Sequence, residues 1–371
     1  MVATDGKVEP GFEAVAEAFA ANFERRGEHG AAVCVYAGGR PVVDLWGGPT
    51  YGPDTLQLVF SATKGMATVC VGRLVEQGRL DPEAPVAEYW AAFDAAGKAG
   101  VTVDLLLSHR AGLPAVDRAL SFEDMLAWEP LVEALAEQPP LWEPGTRHGY
   151  HALTFGHLAG ELVRRMSGRR IGRFFAEEVA APLGLDAWIG LPAGEEGRVA
   201  DLIPPEASPD DPMTKALADT SGLTYRAFAN PPIAAARFNR PDAHAAEIPA
   251  ANGITTARSL ARMYAACVGE IDGVRLLAPA TVELLRRSRA AGPDAVLPYD
   301  TQFGLGFQLP APWRPFAGPG SFGHYGMGGS VGFALPEAGL ALGYTIDRMQ
   351  SHAGPDPRSQ ALIAAALACL R

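Results

Sequence analysis

A serine and a lysine three residues apart can share a proton when a helix sets them on one face, and Ser61 and Lys64 in Phe60-Ser61-Ala62-Thr63-Lys64-Gly65 have that spacing. With twelve serines and four lysines in 371 residues, about 0.13 chance Ser-x-x-Lys matches are expected at this helical-neighbour spacing. The chain has one. A serine hydroxyl is a weak nucleophile at neutral pH and needs a neighbour that takes its proton. Lysine can do so when burial disfavours its charge, whereas arginine stays protonated. Of the 31 basic residues four are lysine (Lys7, Lys64, Lys98 and Lys215), leaving 27 arginines. A lysine in the first turn of an apolar helix therefore reads as a chemical choice. That turn also presents free N–H groups and the positive dipole end to a developing oxyanion. The plainer alternative is a serine N-cap followed by a snorkelling lysine.

Other residues compete for attention. Gly328-Gly329-Ser330-Val331-Gly332 matches the G-x-S-x-G nucleophile elbow, with Asp347 and His352 following in chain order. The elbow needs a helix after the serine, but Val331 to Ile346 reads as two strands, so Ser330 is not the expected nucleophile. His148, His151 and His157 cluster in sequence without an HExxH pattern or a convergent Cys or carboxylate set, so no metal is expected. His109 reads as a buried hydrogen-bonding residue. No phosphate-binding or dinucleotide fingerprint occurs, so no cofactor is implied. Tyr225, Phe228, Phe238, Trp313 and Phe316 are available to line an acyl pocket, though scattered aromatics are commonly packing.

The elements that must position Ser61 follow from pattern. Helical spacing runs over residues 10–27, then Ala31–Tyr36 and Val42–Trp46 read as a β-hairpin around Ala37-Gly38-Gly39-Arg40. Ser61–Leu74 is apolar almost all round, which predicts a buried helix. Helices are expected over Val103–Leu107, Phe122–Ala136, Thr154–Met166, Ile171–Val179, Thr255–Val268 and Gln360–Leu370, and strands over Gly304–Leu309, Val331–Leu335 and Leu340–Ile346. Residues 192–250, rich in Pro, Ala and Asp, read as loops or a lid. Strands at both ends and helices between predict an α+β fold: an antiparallel sheet with flanking helices built from about 1–80 and 251–371, and a helical lobe with the lid from 81–250.

Composition narrows the partners. A net charge of −11 opposes binding to nucleic acid or an anionic membrane. The cysteines Cys34, Cys70, Cys267 and Cys369 lie in apolar runs without CxxC spacing, as reduced core residues do. The start, MVATDGKVEP, lacks a basic and apolar leader pattern, and Ala361–Leu370 is too short to span a bilayer. A cytoplasmic protein acting on a small molecule is expected; its oligomeric state is not legible.

Five segments together resemble the serine β-lactamase and penicillin-binding-protein superfamily, in the class C-like branch that includes family VIII carboxylesterases. They are SATKG at 61–65, LLSHRAGL at 106–113, WEPGTRHGYHALTFG at 142–156, APLGL at 181–185 and HYGMGGSVGF at 324–333. The resemblance implies a β-lactamase/transpeptidase-like fold and an acyl-enzyme on Ser61. It gives Tyr150 a proton-shuttling role, with a phenol pKa expected to be depressed by a cationic Lys64. It makes His324-Tyr325-Gly326 the third motif, with the backbone amides of Ser61 and Met327 as the oxyanion hole. His151, Ala152, His324, Tyr325 and Gly326 would then face substrate. His324 replaces a fixed cation of the β-lactamases and Ala152 replaces their asparagine, and both departures favour a carboxylesterase on small neutral esters. Acyl transfer to an alcohol or amine, β-lactam or D-amino-acid peptide hydrolysis, and a non-catalytic acyl or peptide sensor are the alternatives.

Overall fold

The computed structural model describes residues 4–206, 208–351 and 354–370. Strands β1 (Thr4–Val8), β2 (Ala31–Ala37), β3 (Arg40–Gly47), β4 (Phe322–Tyr325), β5 (Val331–Leu335) and β6 (Leu340–Ile346) form one antiparallel sheet in the order β1-β3-β2-β6-β5-β4. The two ends of the chain therefore meet between β2 and β6, with Val33 opposite Tyr344. The predicted hairpin is present, and Gly38 and Gly39 turn it with φ of 55° and 80°.

Five helices bear on the site: α1 (Glu13–Arg25), α2 (Thr63–Glu76), α3 (Thr154–Ser167), α4 (Ala257–Val268) and α5 (Pro357–Ala368). Alternation along β2 divides its side chains between two cores. Val33 and Val35 pack with Val15 and Phe19 of α1 and with Leu362 and Ile363 of α5. Cys34 and Tyr36 face α2, α4 and the helical middle of the chain. On that face Gly332 and Gly343 are cross-strand partners. A Cβ on Gly343 would strike the backbone of Ala257 and Ala261, and one on Gly332 the side chains of Leu260 and Tyr264, so α4 can lie directly on the sheet. All four cysteines are free thiols.

Three local expectations change. The helix predicted over Phe122–Ala136 breaks at Trp128, φ 74°, into Phe122–Ala127 and Glu129–Glu137. The buried Trp128 ring packs at a tilt on His157 at 4.7 Å and fits over Gly160, so tertiary packing overrides local periodicity. Gly304–Leu309 is not a strand; it turns against Leu285 and Thr68, and the preceding Asp300–Phe303 pairs with Ala290–Pro293. The sheet edge opposite β1 is β4, whose short sequence, with Gly323 inside it and Gly326 after it, carries little strand signal. Residues 192–250 hold short helices at Pro212–Ala218, Leu223–Ala229 and Pro241–Ala245. Asn230 anchors this segment to the Leu120 amide and to the Val116 and Arg118 carbonyls, and Thr224 donates to the Val296 carbonyl. Among the described residues no helix is long and apolar enough to cross a membrane.

Candidate active site

Ser61 enters α2 through a constrained turn. Phe60 has φ 43°, an uncommon conformation for a residue with a side chain, which costs on the order of 1–3 kcal/mol. Its ring packs on Phe238 at 5.3 Å, and its carbonyl accepts the Thr63 amide at 2.9 Å and the Thr63 hydroxyl at 2.5 Å. Thr63 in turn accepts the Gly253 amide at 2.7 Å. Regular helix begins at Thr63, but the Lys64 amide already bonds the Ser61 carbonyl at 3.0 Å, so Ser61 and Lys64 share a turn.

Lys64 is fully buried. Its Nζ lies 3.1 Å from Ser61 Oγ, 2.8 Å from the Ala152 carbonyl and 3.0 Å from the Ala250 carbonyl. Burial holds its pKa well below the ordinary lysine value. In the neutral amine, the two carbonyls take the two N–H groups and the lone pair is left for the Ser61 hydroxyl. Neither carbonyl is encoded by a side-chain type, so sequence reasoning had no signal for them.

The Tyr150 ring lies beneath Lys64 Nζ, 4.7 Å from the centroid, and its hydroxyl is on the Ser61 side of the site. The depressed phenol pKa expected from a cationic neighbour is not found. Burial raises it, partly offset by the neighbouring Ser61 side chain, and burial also drives Lys64 toward neutrality. Asp294, missed in the sequence, positions this tyrosine. Its buried Oδ1 accepts the amides of Tyr150, Val296 and Leu297 at 2.9, 2.8 and 2.9 Å, and its Oδ2 accepts the Thr301 hydroxyl at 2.7 Å.

The third motif lies at the end of edge strand β4. Gly326 is pressed against the Val59 carbonyl so closely that a Cβ there would collide with it, which brings this loop to the start of the Ser61 turn. Among the described residues, the Ser61 and Met327 amides donate to no backbone acceptor. His324 donates from Nδ1 to the Tyr325 carbonyl at 2.7 Å, leaving a buried Nε2 lone pair. Burial and then Lys64 hold its pKa well below the usual histidine value. The Tyr325 side chain turns away into the core, where its hydroxyl meets Gln360 at 3.0 Å and Phe316 at 3.2 Å. Its contribution to the motif is backbone.

The beta-lactamase family profile matches residues 15–367. The chain belongs to the beta-lactamase family. It is 40% identical to esterase/beta-lactamase LipL of Mycobacterium tuberculosis, over 93% of this chain and 83% of that protein. Two solved structures are similar over 99% of this chain and 100% of theirs. One is a family VIII carboxylesterase at 39% identity and a TM-score of 0.91. The other is a penicillin-binding protein homologue from Caulobacter crescentus at 39% identity and a TM-score of 0.89. The chain is a serine hydrolase with the β-lactamase/transpeptidase-like fold.

Other sequence candidates take different places in this beta-lactamase-family chain. His151, expected at the substrate, is buried with both nitrogens engaged: Nε2 accepts the Leu113 amide at 3.0 Å and Nδ1 donates to the Gly149 carbonyl at 2.7 Å. It braces the Tyr150 loop, as does His109, whose Nδ1 accepts the His151 amide at 3.0 Å. Ala152 serves Lys64 through its carbonyl, and its side chain joins Tyr150, Ala227, Val296 and Phe303 in an apolar cluster that Phe228 also touches. Phe238 and Phe316 are core residues, Trp313 stacks on Tyr299, and Tyr225 is exposed. Ser330 is buried in the turn between β4 and β5 with no helix after it, and Asp347 accepts the Gly30 amide. His352 lies outside the described residues. No group of His, Cys, Asp or Glu among the described residues is arranged to hold a metal.

Proposed function

We propose that the chain is a carboxylesterase for small uncharged esters, with Ser61 as nucleophile, Lys64 as its base and Tyr150 as proton donor to the leaving group. The observation that carries this is the buried Lys64 nitrogen, held by two carbonyls and facing Ser61 Oγ at 3.1 Å. Ser61 Oγ attacks the ester carbonyl as its proton passes to Lys64, and the carbonyl oxygen becomes an oxyanion between the Ser61 and Met327 amides. Collapse breaks the ester C–O bond. The leaving oxygen takes the Tyr150 hydroxyl proton, which the Lys64 ammonium replaces, giving acyl-Ser61, the alcohol and neutral Lys64. Water then repeats the sequence and releases the acid. Because Lys64 and Tyr150 exchange one proton, their titrations are coupled.

The buried, uncharged His324 supplies no fixed cation to the site, which favours an ester over a carboxylate-bearing β-lactam. A net charge of −11 disfavours nucleic acid and membrane partners, and free cysteines suit the cytoplasm. Intact-mass measurement after brief exposure to p-nitrophenyl butyrate or a nitrophenyl phosphonate tests the reading. One acyl or phosphonyl group per chain and steady nitrophenol release are expected, both lost in Ser61→Ala. Turnover that survives in Ser61→Ala overturns it.

A further inference from the structure

Arg358 lies in the first turn of α5, fully buried, outside the residues that handle the proton. Each of its five side-chain N–H groups has an acceptor. Nη1 meets Glu28 Oε1 at 3.0 Å and the Arg348 carbonyl at 2.9 Å. Nε and Nη2 meet the two Asp356 oxygens at 3.2 and 2.8 Å. The remaining Nη2 proton goes to the Gly328 carbonyl at 2.7 Å. Glu28 is also buried, its second oxygen taken by the Tyr344 hydroxyl.

The Gly328 contact is the one with a consequence for chemistry. Gly328 and Gly329 have φ of 89° and 136°, so the loop carrying Met327 is built from residues that resist rotation least. A loop of that kind needs outside contacts to aim an amide. On one side of Met327, Gly326 donates to the Ser330 carbonyl at 2.7 Å and abuts Val59. On the other, the Gly328 carbonyl accepts Arg358 and, at 3.0 Å, the Gln350 amide. Gly329 leaves no room for a Cβ beside Arg358 and Asp356.

We propose that Arg358, braced by Glu28 and Asp356, is a positioning residue that clamps the Gly328 carbonyl and thereby aims the Met327 amide at the oxyanion. This rests on the reading of Met327 as an oxyanion donor. A misaimed donor stabilises the tetrahedral state less and leaves ground-state binding unchanged, so the loss falls on kcat. Removing such a donor outright costs about 10²–10³-fold, and loosening it should cost less.

The full-length protein is assayed with p-nitrophenyl butyrate and a nitrophenyl phosphonate as Arg358→Met, Arg358→Lys, Gly329→Ala and Met327→Pro, with folding followed by near-UV circular dichroism. Arg358→Met should lower kcat about 10–100-fold with KM within about two-fold, and slow phosphonylation by the same factor. Arg358→Lys should recover part of the loss. Gly329→Ala reaches the same contact from the loop side without removing the Arg358 or Glu28 charge; it should reproduce the kcat-only signature if Arg358→Met does not fold. A folded Arg358→Met or Gly329→Ala with wild-type kcat and phosphonylation overturns the clamp. Met327→Pro removes the amide proton itself. If it keeps full turnover, the oxyanion assignment fails, which separates that outcome from failure of the clamp alone.

Discussion

Lys64 and Lys98 are both buried, and each points its nitrogen at three oxygens, yet their surroundings give opposite chemistry. Lys98 meets the carbonyls of Ala95, Ala136 and Gln138 at 2.7, 2.9 and 2.8 Å. The last two close the C-terminal end of helix Glu129–Glu137, where orphan carbonyls and the negative dipole end favour a cation. Lys64 sits in the first turn of α2, beside the start of α3. Both neighbouring helix ends are positive and disfavour a cation there. Burial lowers the pKa of both lysines, and Lys64 well below the usual value. The third oxygen decides the use. At Lys98 it is a carbonyl, which has no proton to give; at Lys64 it is the Ser61 hydroxyl.

The largest expected effect is for Lys64→Met. It should lower kcat on p-nitrophenyl butyrate by on the order of 10⁴-fold while circular dichroism remains native; activity within ten-fold of wild type would break the comparison. Next is Asp294→Ala, which frees the Tyr150 amide. A loss of roughly 10–100-fold in kcat, comparable with the cost of misplacing a catalytic group, is expected in steady-state assays. Lys98→Met should leave kcat within about two-fold but lower unfolding free energy by about 3 kcal/mol in urea, since buried carbonyls lose their donor.

The pH profile distinguishes the lysines without a large loss. With Lys64 in its proposed role as the free base and its pKa lowered, kcat/KM should climb as pH rises through that lowered value and then level off. Lys98→Met should keep this limb in place; a limb that moves with Lys98 would assign the titration to the wrong site. Glu28 gives the smallest effect. Burial raises its pKa to about 7, above its unfolded value, so its contribution to stability is full below the unfolded value and is lost as pH rises through about 7. The groups facing it are Arg358, Tyr344, Asp356 and Asp347. Glu28→Gln should flatten that part of a thermal-stability profile between about pH 4.5 and 7.

Legibility in the sequence followed how local the determining forces are. The β2–β3 hairpin and the helices α2, α3 and α4 show in period and capping, Thr256 for example accepting the Ser259 amide at 3.0 Å. Strand β4 is hidden because Phe322-Gly323-His324-Tyr325 is short, with a glycine inside it and Gly326 after it; pairing with β5 and Gln308 makes it a strand. The break at Trp128 comes from a ring finding its place over Gly160 and His157, residues some thirty positions away. His151 looked like a substrate contact because sequence cannot tell which backbone groups will occupy an imidazole.

By itself the sequence determined that a serine and a lysine share a helical turn, that a lysine stands where arginine is usual, and that strand-forming ends enclose a helical middle. Those are matters of residue type and near spacing. The tertiary structure decided that Lys64 is dry, which oxygens surround it, that Asp294 holds Tyr150, and that Arg358 reaches the Gly328 carbonyl. The physical reason is that desolvation and hydrogen-bond direction depend on groups brought from distant parts of the chain, such as Ala152 and Ala250 around Lys64.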